Sequence, residues 1–325
     1  MFSTRRSTHA SALALGAERA AVTDIGANVT VDPAAADYPE ARAGRARTAE
    51  AWRTLASNKL VLIGSVVALA YVFLGIFGPM LAPYDYRAQN LADALLPPFS
   101  GGHILGTDQL GRDMLSRVLE GLRISLLVGV VITSASLVVG ALAGVLAGYF
   151  GGKGDKAISA LIDITWGFPL ILVAVLLVGA LGPGLAAMML AVGIINWAGF
   201  ARIIRGETLA LRQREFVEAA RALGVPRRRI IRRHILPHTI PVALVMTSYY
   251  VALAVIFEAG FSFIGLGAQP PLPSLGQMIA EGRNYMLVSH WVITVPGVTI
   301  ALIVIGLNLL GDGLRDIFDP RLRDR

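Results

Sequence analysis

One acidic side chain stands at the end of a long apolar stretch, where an ionisable group is a candidate for function. Glu258 closes the stretch that begins near His238. A helix rising about 1.5 Å per residue would place its carboxyl near the outward-facing interface of the membrane that it crosses. The segment FSFIGLGAQPP follows and contains Phe261 and Phe263. Two interpretations remain open: these residues belong to a transport pathway or outer gate, or Glu258 holds the segment in place.

Two histidines have the four-residue spacing that can put two imidazoles on one helix face. They are His234 and His238, but Pro237 lies between them and no carboxylate or third histidine is near. A metal site needs more ligands than this pair supplies. We therefore expect no metal in this chain, and no Ser–His, paired-Asp or HExxH arrangement within the apolar stretches indicates an intramembrane enzyme.

A group of alternating charges precedes the second apolar stretch. The four residues are Asp108, Arg112, Asp113 and Arg117. Opposite charges four residues apart support a short helix. We expect structural pairing here, with contact to an external partner as the open alternative.

The composition predicts the elements that must position these residues. The chain of 325 residues is 55% hydrophobic and 16% charged, and it has no cysteine, whereas soluble domains are about 25% charged. Apolar blocks of about 20 residues can each cross a bilayer as a helix. The sequence therefore predicts an all-α polytopic membrane protein with six transmembrane helices, at about 60–82, 124–150, 157–181, 185–201, 238–258 and 292–311.

The basic residues predict the orientation. Of the 29 lysines and arginines, 24 fall in the N-terminal segment, the turn after the second span, the 202–237 loop and the C-terminal tail. Because basic loops stay on the cytoplasmic side, both termini should be cytoplasmic. Residues 1–54 are predicted to be a disordered or weakly helical extension, and 55–325 the transmembrane domain. The basic surfaces should attract anionic membrane lipid, and no nucleic-acid-binding pattern accompanies them.

Glycine and proline indicate how two of the spans are built. Gly140, Gly144, Gly148 and Gly152 recur every four residues, which favours close backbone packing on one face. The packing partner is either this chain or a second subunit. Pro169, inside the third span, should kink that helix.

The 202–237 loop is far longer than an ordinary helix connection. Its first part predicts an amphipathic helix with Leu209, Phe216, Ala220 and Leu223 near one face. Gly224 ends that helix, and Pro226 begins a second short helix that ends at Pro237. From the residues alone, the two helices either bind another protein through Glu218, Ala219 and Ala220 or lie on anionic headgroups.

Residues 218–237, EAARALGVPRRRIIRRHILP, resemble the EAA loop of ABC importer permeases. His234 stands where the general pattern has Ile. Three more stretches, at 105–126, 257–279 and 311–323, resemble the second permease subunit of dipeptide/oligopeptide importers, with Leu275 where that family usually has Trp. The resemblance covers roughly 55–323 and implies a type I ABC importer permease in the cytoplasmic (inner) membrane of a prokaryote.

The resemblance also implies partners and a role for the loop. The permease would pair with a homologous permease, two ATP-binding subunits and an extracytoplasmic solute-binding protein, and import peptides, or alternatively nickel, haem or another small solute. This chain would bind no cofactor, because ATP and Mg belong to the partner ATPases and GYFGGKGDK is not a Walker A loop. The coupling residues would be Glu218, Ala219, Ala220, Leu223, Gly224, Val225, Pro226, Leu236 and Pro237.

A self-sufficient secondary transporter is the competing class of function. It would need coupling residues near the middle of the membrane and internal pseudosymmetry. The sequence shows no acidic pair there and no convincing repeat. Import driven by partner ATPases is therefore favoured.

Overall fold

The computed structural model describes residues 59–318, which form helices joined by mostly short connections. The predicted extension at 1–54 lies outside these residues. The helices are α1 (Lys59–Leu81), α2 (Met114–Phe150), α3 (Gly152–Gly167), α4 (Leu170–Leu181), α5 (Leu185–Arg212), α6 (Glu215–Ala222), α7 (Arg227–Ile230), α8 (Leu236–Phe263), α9 (Leu275–Gly282) and α10 (Trp291–Phe318). A π-helical turn, Ile231–Ile235, joins α7 to α8.

Five stretches in the described range are long and apolar enough to cross a membrane: α1, α2, α5, the run from α7 through α8, and α10. The bent pair α3 and α4 makes a sixth if it counts as one span. The start of α2 differs from the predicted one. α2 begins at Met114, ten residues before the predicted start, because the Asp113 side chain caps it by accepting the Ser116 N–H at 2.7 Å.

α2 and α5 run side by side in the same direction, and glycines set their separation. A Cβ at Gly144 would lie 2.7 Å from the Ala201 carbonyl oxygen and 2.9 Å from the Arg205 nitrogen, and Gly140 and Gly148 are equally crowded by α5. The packing partner of these three glycines is therefore this chain. Gly152 has nothing within 4 Å of such a Cβ and begins α3 instead.

The third predicted span is broken, which goes beyond the predicted kink. α3 and α4 meet at 84°, with Pro169 as the N-cap of α4. Ile162 of α3 packs in one buried cluster with Ala201, whereas Ala174 of α4 packs in another with Val192. The break therefore lies beside the part of α5 between these two contacts, well inside the apolar part of the helix.

The α2 and α8 directions define two ends of the bundle. The Asp108 end contains the connection from 82 to 113, the start of α2 and helix α9; the Arg227 end contains the end of α2, α6 and α7. Many large apolar side chains on α1, α2 and α4 face outward from the chain, for example Leu69, Leu142 and Leu176. Such a surface is suited to lipid or to another membrane subunit.

Candidate functional site

The loop at the Arg227 end begins later than the sequence predicts. The predicted start was Arg202, but α5 continues as one helix to Arg212. Two arginines remain on that helix because they have acidic partners on α3: Arg202 contacts Asp163 at 2.6 Å, and Arg205 contacts Asp155 at 2.5 Å. A paired arginine does not need to end a span. The predicted single amphipathic helix is consequently divided between the end of α5 and helix α6.

Helix α6 presents a different face from the one predicted. Val217 and Ala220 are buried against the rest of the bundle. Glu218, Ala219 and Leu223 are exposed, and Leu223 is 83% exposed. The predicted single face does not form as one buried stripe: Leu209 belongs to α5, because α6 starts at Glu215, and Phe216 and Leu223 are exposed whereas Ala220 is buried. The exposed side of α6 also includes Glu215, Arg221 and Ala222.

The bend after α6 has the local geometry that the sequence predicts. Gly224 has φ of +74°, which a residue without Cβ adopts at least cost. The Gly224 N–H donates to the Arg221 carbonyl at 3.0 Å, and the Val225 N–H donates to the Ala220 carbonyl at 3.1 Å. These two bonds form a Schellman motif, which fixes the angle at which the chain leaves α6. Pro226 then serves as the N-cap of α7.

The second helix does not end at Pro237, contrary to the prediction. Leu236 and Pro237 occupy the first turn of α8, and the helix continues through the π turn from Arg227 to Phe263. Proline is tolerated in the first turn of a helix, because its missing N–H would have no partner within the helix there. In the π turn before it, hydrogen bonds join residues five positions apart instead of four. Leu236 and Pro237 therefore lie where the loop becomes a span.

Glu258 is fully buried and accepts three hydroxyl hydrogen bonds. The donors are Ser125 of α2 at 2.5 Å, Ser262 of α8 at 2.8 Å and Ser274 at 2.7 Å. Ser262 also accepts the Ala268 N–H at 3.2 Å. The carboxyl thus ties α2 and α8 to the segment that leads into α9, and this agrees with the interpretation that Glu258 holds the 261–271 segment.

The two aromatic residues singled out with Glu258 have different surroundings. Phe261 is buried in the cluster that contains Val192 and Ala174, whereas Phe263 is 42% exposed. Their role in a pathway or outer gate stays a prediction. Ser125 and Ser274 were missed because they come from other parts of the sequence, whereas the four-residue spacing of Ser262 from Glu258 could have indicated that contact.

Comparison with known proteins identifies the family. Residues 140–324 match the family model described as binding-protein-dependent transport system inner membrane component, and residues 47–98 match the N-terminal TM domain of oligopeptide transport permease C. The chain belongs to this permease family. It is 38% identical over 274 residues to the dipeptide transport system permease protein DppC of Alkalihalophilus pseudofirmus, which covers 84% of this chain and 90% of the relative.

Two further relatives and one solved structure extend the comparison. The oligopeptide permease OppC of Bacillus subtilis is 36% identical over 90% of this chain and 97% of its own. The glutathione permease GsiD of Pectobacterium atrosepticum is 38% identical over 84% and 91%, respectively. The inward-facing MetNI methionine ABC transporter matches with a TM-score of 0.53 at 22% identity, over 63% of this chain and 98% of that chain, which shows a shared fold. The permease is a multi-pass protein of the bacterial cytoplasmic membrane.

At the Asp108 end of the permease, one of the two predicted pairs forms: Asp108 contacts Arg112 within a turn. Asp113 does not pair with Arg117, because it contacts His103 at 2.9 Å and caps α2. Asp108 Oδ2 contacts Arg112 Nε at 2.6 Å and Arg117 Nε at 3.4 Å. Asp108 Oδ1 accepts the N–H groups of Leu110 and Arg112, which keeps this segment in a turn. Glu281 of α9 joins both arginines at 3.1 and 3.4 Å. Structural pairing therefore accounts for these charges.

Three buried polar groups on α2 and α5 of the permease were missed in the sequence. Thr133 Oγ1, Ser136 Oγ and Asn196 Nδ2 are buried without a hydrogen-bond partner. Asn196 lies beside the break between α3 and α4, because it is flanked by the α5 contacts made by those two helices. Single polar residues within apolar stretches form no recognisable pattern in the sequence, so their burial is seen only in the packed structure.

The described part of the permease contains no group of three or more His, Cys, Asp or Glu side chains that could hold a metal. His238 Nδ1 contacts the His234 carbonyl oxygen at 2.6 Å. The ring of His238 also stacks on Phe216, with centroids 5.4 Å apart. The two histidines thus connect the π turn with α6.

Proposed function

We propose that this permease forms one half of the transmembrane pathway of an ATP-driven importer of peptides. The observation that carries the proposal is the family membership, because the relatives are named as dipeptide, oligopeptide and glutathione permeases. The pathway is completed by a homologous permease. An extracytoplasmic solute-binding protein delivers the peptide, and two partner ATPases bind ATP and Mg.

The proposed topology has six spans, with the bent pair α3 and α4 as the third, and both termini in the cytoplasm. The Arg227 end is the cytoplasmic end in this proposal, since it carries the two lysines that follow α2 and the ten arginines of the 202–237 range. The Asp108 end then faces outward and receives the solute-binding protein.

The proposed contact with the ATPase is the exposed face of α6. Glu218, Ala219 and Leu223 are free to meet a partner, and the small Ala219 allows close approach. The Schellman motif at Gly224 makes the joint between α6 and α7 stiff. Movement of α6 is therefore transmitted to α5 and to the run from α7 through α8.

Gly224→Val tests the coupling role. A β-branched residue at φ of +74° costs on the order of 1–2 kcal/mol and re-aims α7. The matched control is Gly206→Val, because Gly206 lies on α5 near the loop, has an ordinary helical φ and has nothing within 4 Å of an added Cβ. Glu218→Lys reverses the charge on the exposed face without bending the backbone.

In vesicles that contain the whole complex, we expect Gly224→Val and Glu218→Lys to lose peptide uptake. Either the ATPase subunits should be lost on purification, or ATP hydrolysis should no longer be stimulated by the loaded binding protein. The Gly206→Val complex should keep its ATPase and its uptake. If the Gly224→Val complex retains its ATPase subunits and transports normally, the coupling role is refuted, and a loop that only lies on headgroups becomes the better explanation.

A further inference from the structure

A basic cavity lies at the Arg227 end, on the side of the loop that faces the bundle. It has a volume of about 270 Å³. Three arginines line it, each from a different helix: Arg212 of α5, Arg221 of α6 and Arg227 of α7. Its other walls are Tyr149, Phe150, Val225 and Ile230.

Within the described range, none of the three guanidinium groups makes an ion pair within 4.0 Å. The acidic residues of α5 and α6, Glu207, Glu215 and Glu218, do not line the cavity. Asp155 of α3 interacts with Arg212 only from a longer distance and is bound by Arg205 at 2.5 and 3.0 Å. The cavity therefore carries an excess of positive charge, which Asp155 offsets only in part.

One of the arginines is fixed in place before any ligand arrives. Arg212 Nη1 donates to the Tyr149 carbonyl oxygen at 3.1 Å, which satisfies a carbonyl of the last turn of α2. Gly151 leaves room for this guanidinium, because a Cβ there would lie 3.1 Å from Arg212 Nη1. A guanidinium held in this way loses little freedom on binding and presents its remaining N–H groups to an anion.

The apolar walls and their position decide which anion fits. Phe150 is the last residue of an apolar membrane helix and is 50% exposed, so the cavity opens where the span leaves the hydrocarbon core. Basic pockets between membrane helices at the headgroup level bind anionic lipid headgroups. We propose that this cavity is a site for the phosphate of an anionic phospholipid, whose acyl chains run along the exposed apolar side of α2.

Such a lipid has a defined place in the permease. Its phosphate bridges α5, α6 and α7, the three helices that meet at the Schellman bend. The exposed face of α6 that we assign to the ATPase, with Glu218, Ala219 and Leu223, is not part of the cavity. The lipid site therefore goes beyond the proposed coupling role, and an experiment can refute one without refuting the other.

Native mass spectrometry of the purified, delipidated complex tests the site. Dioleoyl phosphatidylglycerol is titrated against dioleoyl phosphatidylcholine, which has the same chains and no net charge. We expect the wild type to prefer phosphatidylglycerol. Each of Arg212→Gln, Arg221→Gln and Arg227→Gln should weaken that binding about fivefold, the equivalent of about 1 kcal/mol for each basic residue near an anionic surface. The triple variant should lose the preference.

The matched control is a triple variant with the same loss of charge on the neighbouring basic groove, Arg228→Gln, Arg229→Gln and Arg232→Gln. It should keep the preference. If the control variant loses the preference equally, the lipid is attracted by diffuse positive charge and the proposal is overturned. A wild type that binds both lipids equally well would also overturn it. If the triple variant does not insert into the membrane, Arg227→Gln alone still tests the site, because it changes only one exposed side chain.

Two further outcomes would assign the cavity to another ligand. If inorganic phosphate in excess displaces the lipid completely, the site takes a free anion and the lipid assignment is wrong. If the arginine variants keep the lipid but lose ATPase subunits, the three arginines bind an acidic protein surface. Retained ATPase together with lost lipid supports the proposal.

Discussion

Replacement of Glu258 should release the segment between α8 and α9. Glu258→Leu removes the acceptor for the hydroxyls of Ser125, Ser262 and Ser274. Hydrogen bonds between membrane helices contribute about 0.6 kcal/mol on average, and those in protein interiors about 1 kcal/mol. Loss of three therefore destabilises the attachment by about 2–3 kcal/mol. Glu258→Gln keeps one acceptor oxygen and should cost about 1 kcal/mol.

A single cysteine can report the release, because the chain has none of its own. Ala268 is 2% exposed and donates its N–H to Ser262, so Ala268→Cys should react slowly with an impermeant thiol reagent. If labelling occurs only in the open state, its rate follows the open population. At about 1.4 kcal/mol for each factor of ten, Glu258→Leu should accelerate labelling about 30- to 140-fold, and Glu258→Gln about fivefold.

Uptake measured in the same vesicles separates the two roles that remain open for Glu258. If the residue only holds the segment, uptake should fall as labelling rises, and Glu258→Gln should transport nearly normally. Labelling at the wild-type rate in the Leu variant would refute the reasoning from the three hydrogen bonds. Normal labelling with lost uptake in the Gln variant would instead place the carboxyl in the pathway.

Three further predictions concern the spans. Gly144→Ala should lower the thermal stability of the purified permease by about 1–3 kcal/mol through overpacking against α5, whereas Gly154→Ala, with nothing within 4 Å, should be neutral or slightly stabilising in the same melt. Asn196→Leu should raise that stability by about 1 kcal/mol, since its amide nitrogen is buried without a partner, and lower uptake if this polar group is needed for movement. A cysteine at Leu287, which is 95% exposed, should react with an impermeant reagent added outside cells, and one at Gln213 should not; labelling at Gln213 alone would reverse the topology.

Features fixed by neighbouring residues could be predicted from the sequence. The Gly224 bend depends on hydrogen bonds within six residues, and only glycine suits its φ cheaply. The four-residue spacing of Gly140, Gly144 and Gly148 likewise determines that they share a helix face. Neither the bend nor the face required knowledge of a distant contact.

Features that depend on distant partners could not be predicted. Arg202 was expected to end a span, but Asp163 lies 39 positions earlier in the chain and is brought within 2.6 Å by the packing of α3 on α5. Pro237 was expected to end a helix, and the π turn before it cannot be seen in the spacing of residues. Ser125 meets Glu258 across 133 positions. For Arg202 and Glu258, a tertiary contact decides what the local sequence does not.

The distribution of stiff and weak joints indicates how the permease can move. α2 and α5 are in backbone contact through glycines, so they cannot slide past each other without large steric cost. Within the described residues, Pro79, Pro241 and Pro296 each remove one hydrogen-bond donor inside a helix. The helix direction or turn type itself changes at two further places, the break at Pro169 and the π turn before Leu236. In the proposed coupling, a push on α6 should therefore carry α2 and α5 together, and the change of angle should fall on those two places. A disulfide between α2 and α5 should then leave transport intact, whereas one across the α3–α4 break should stop it.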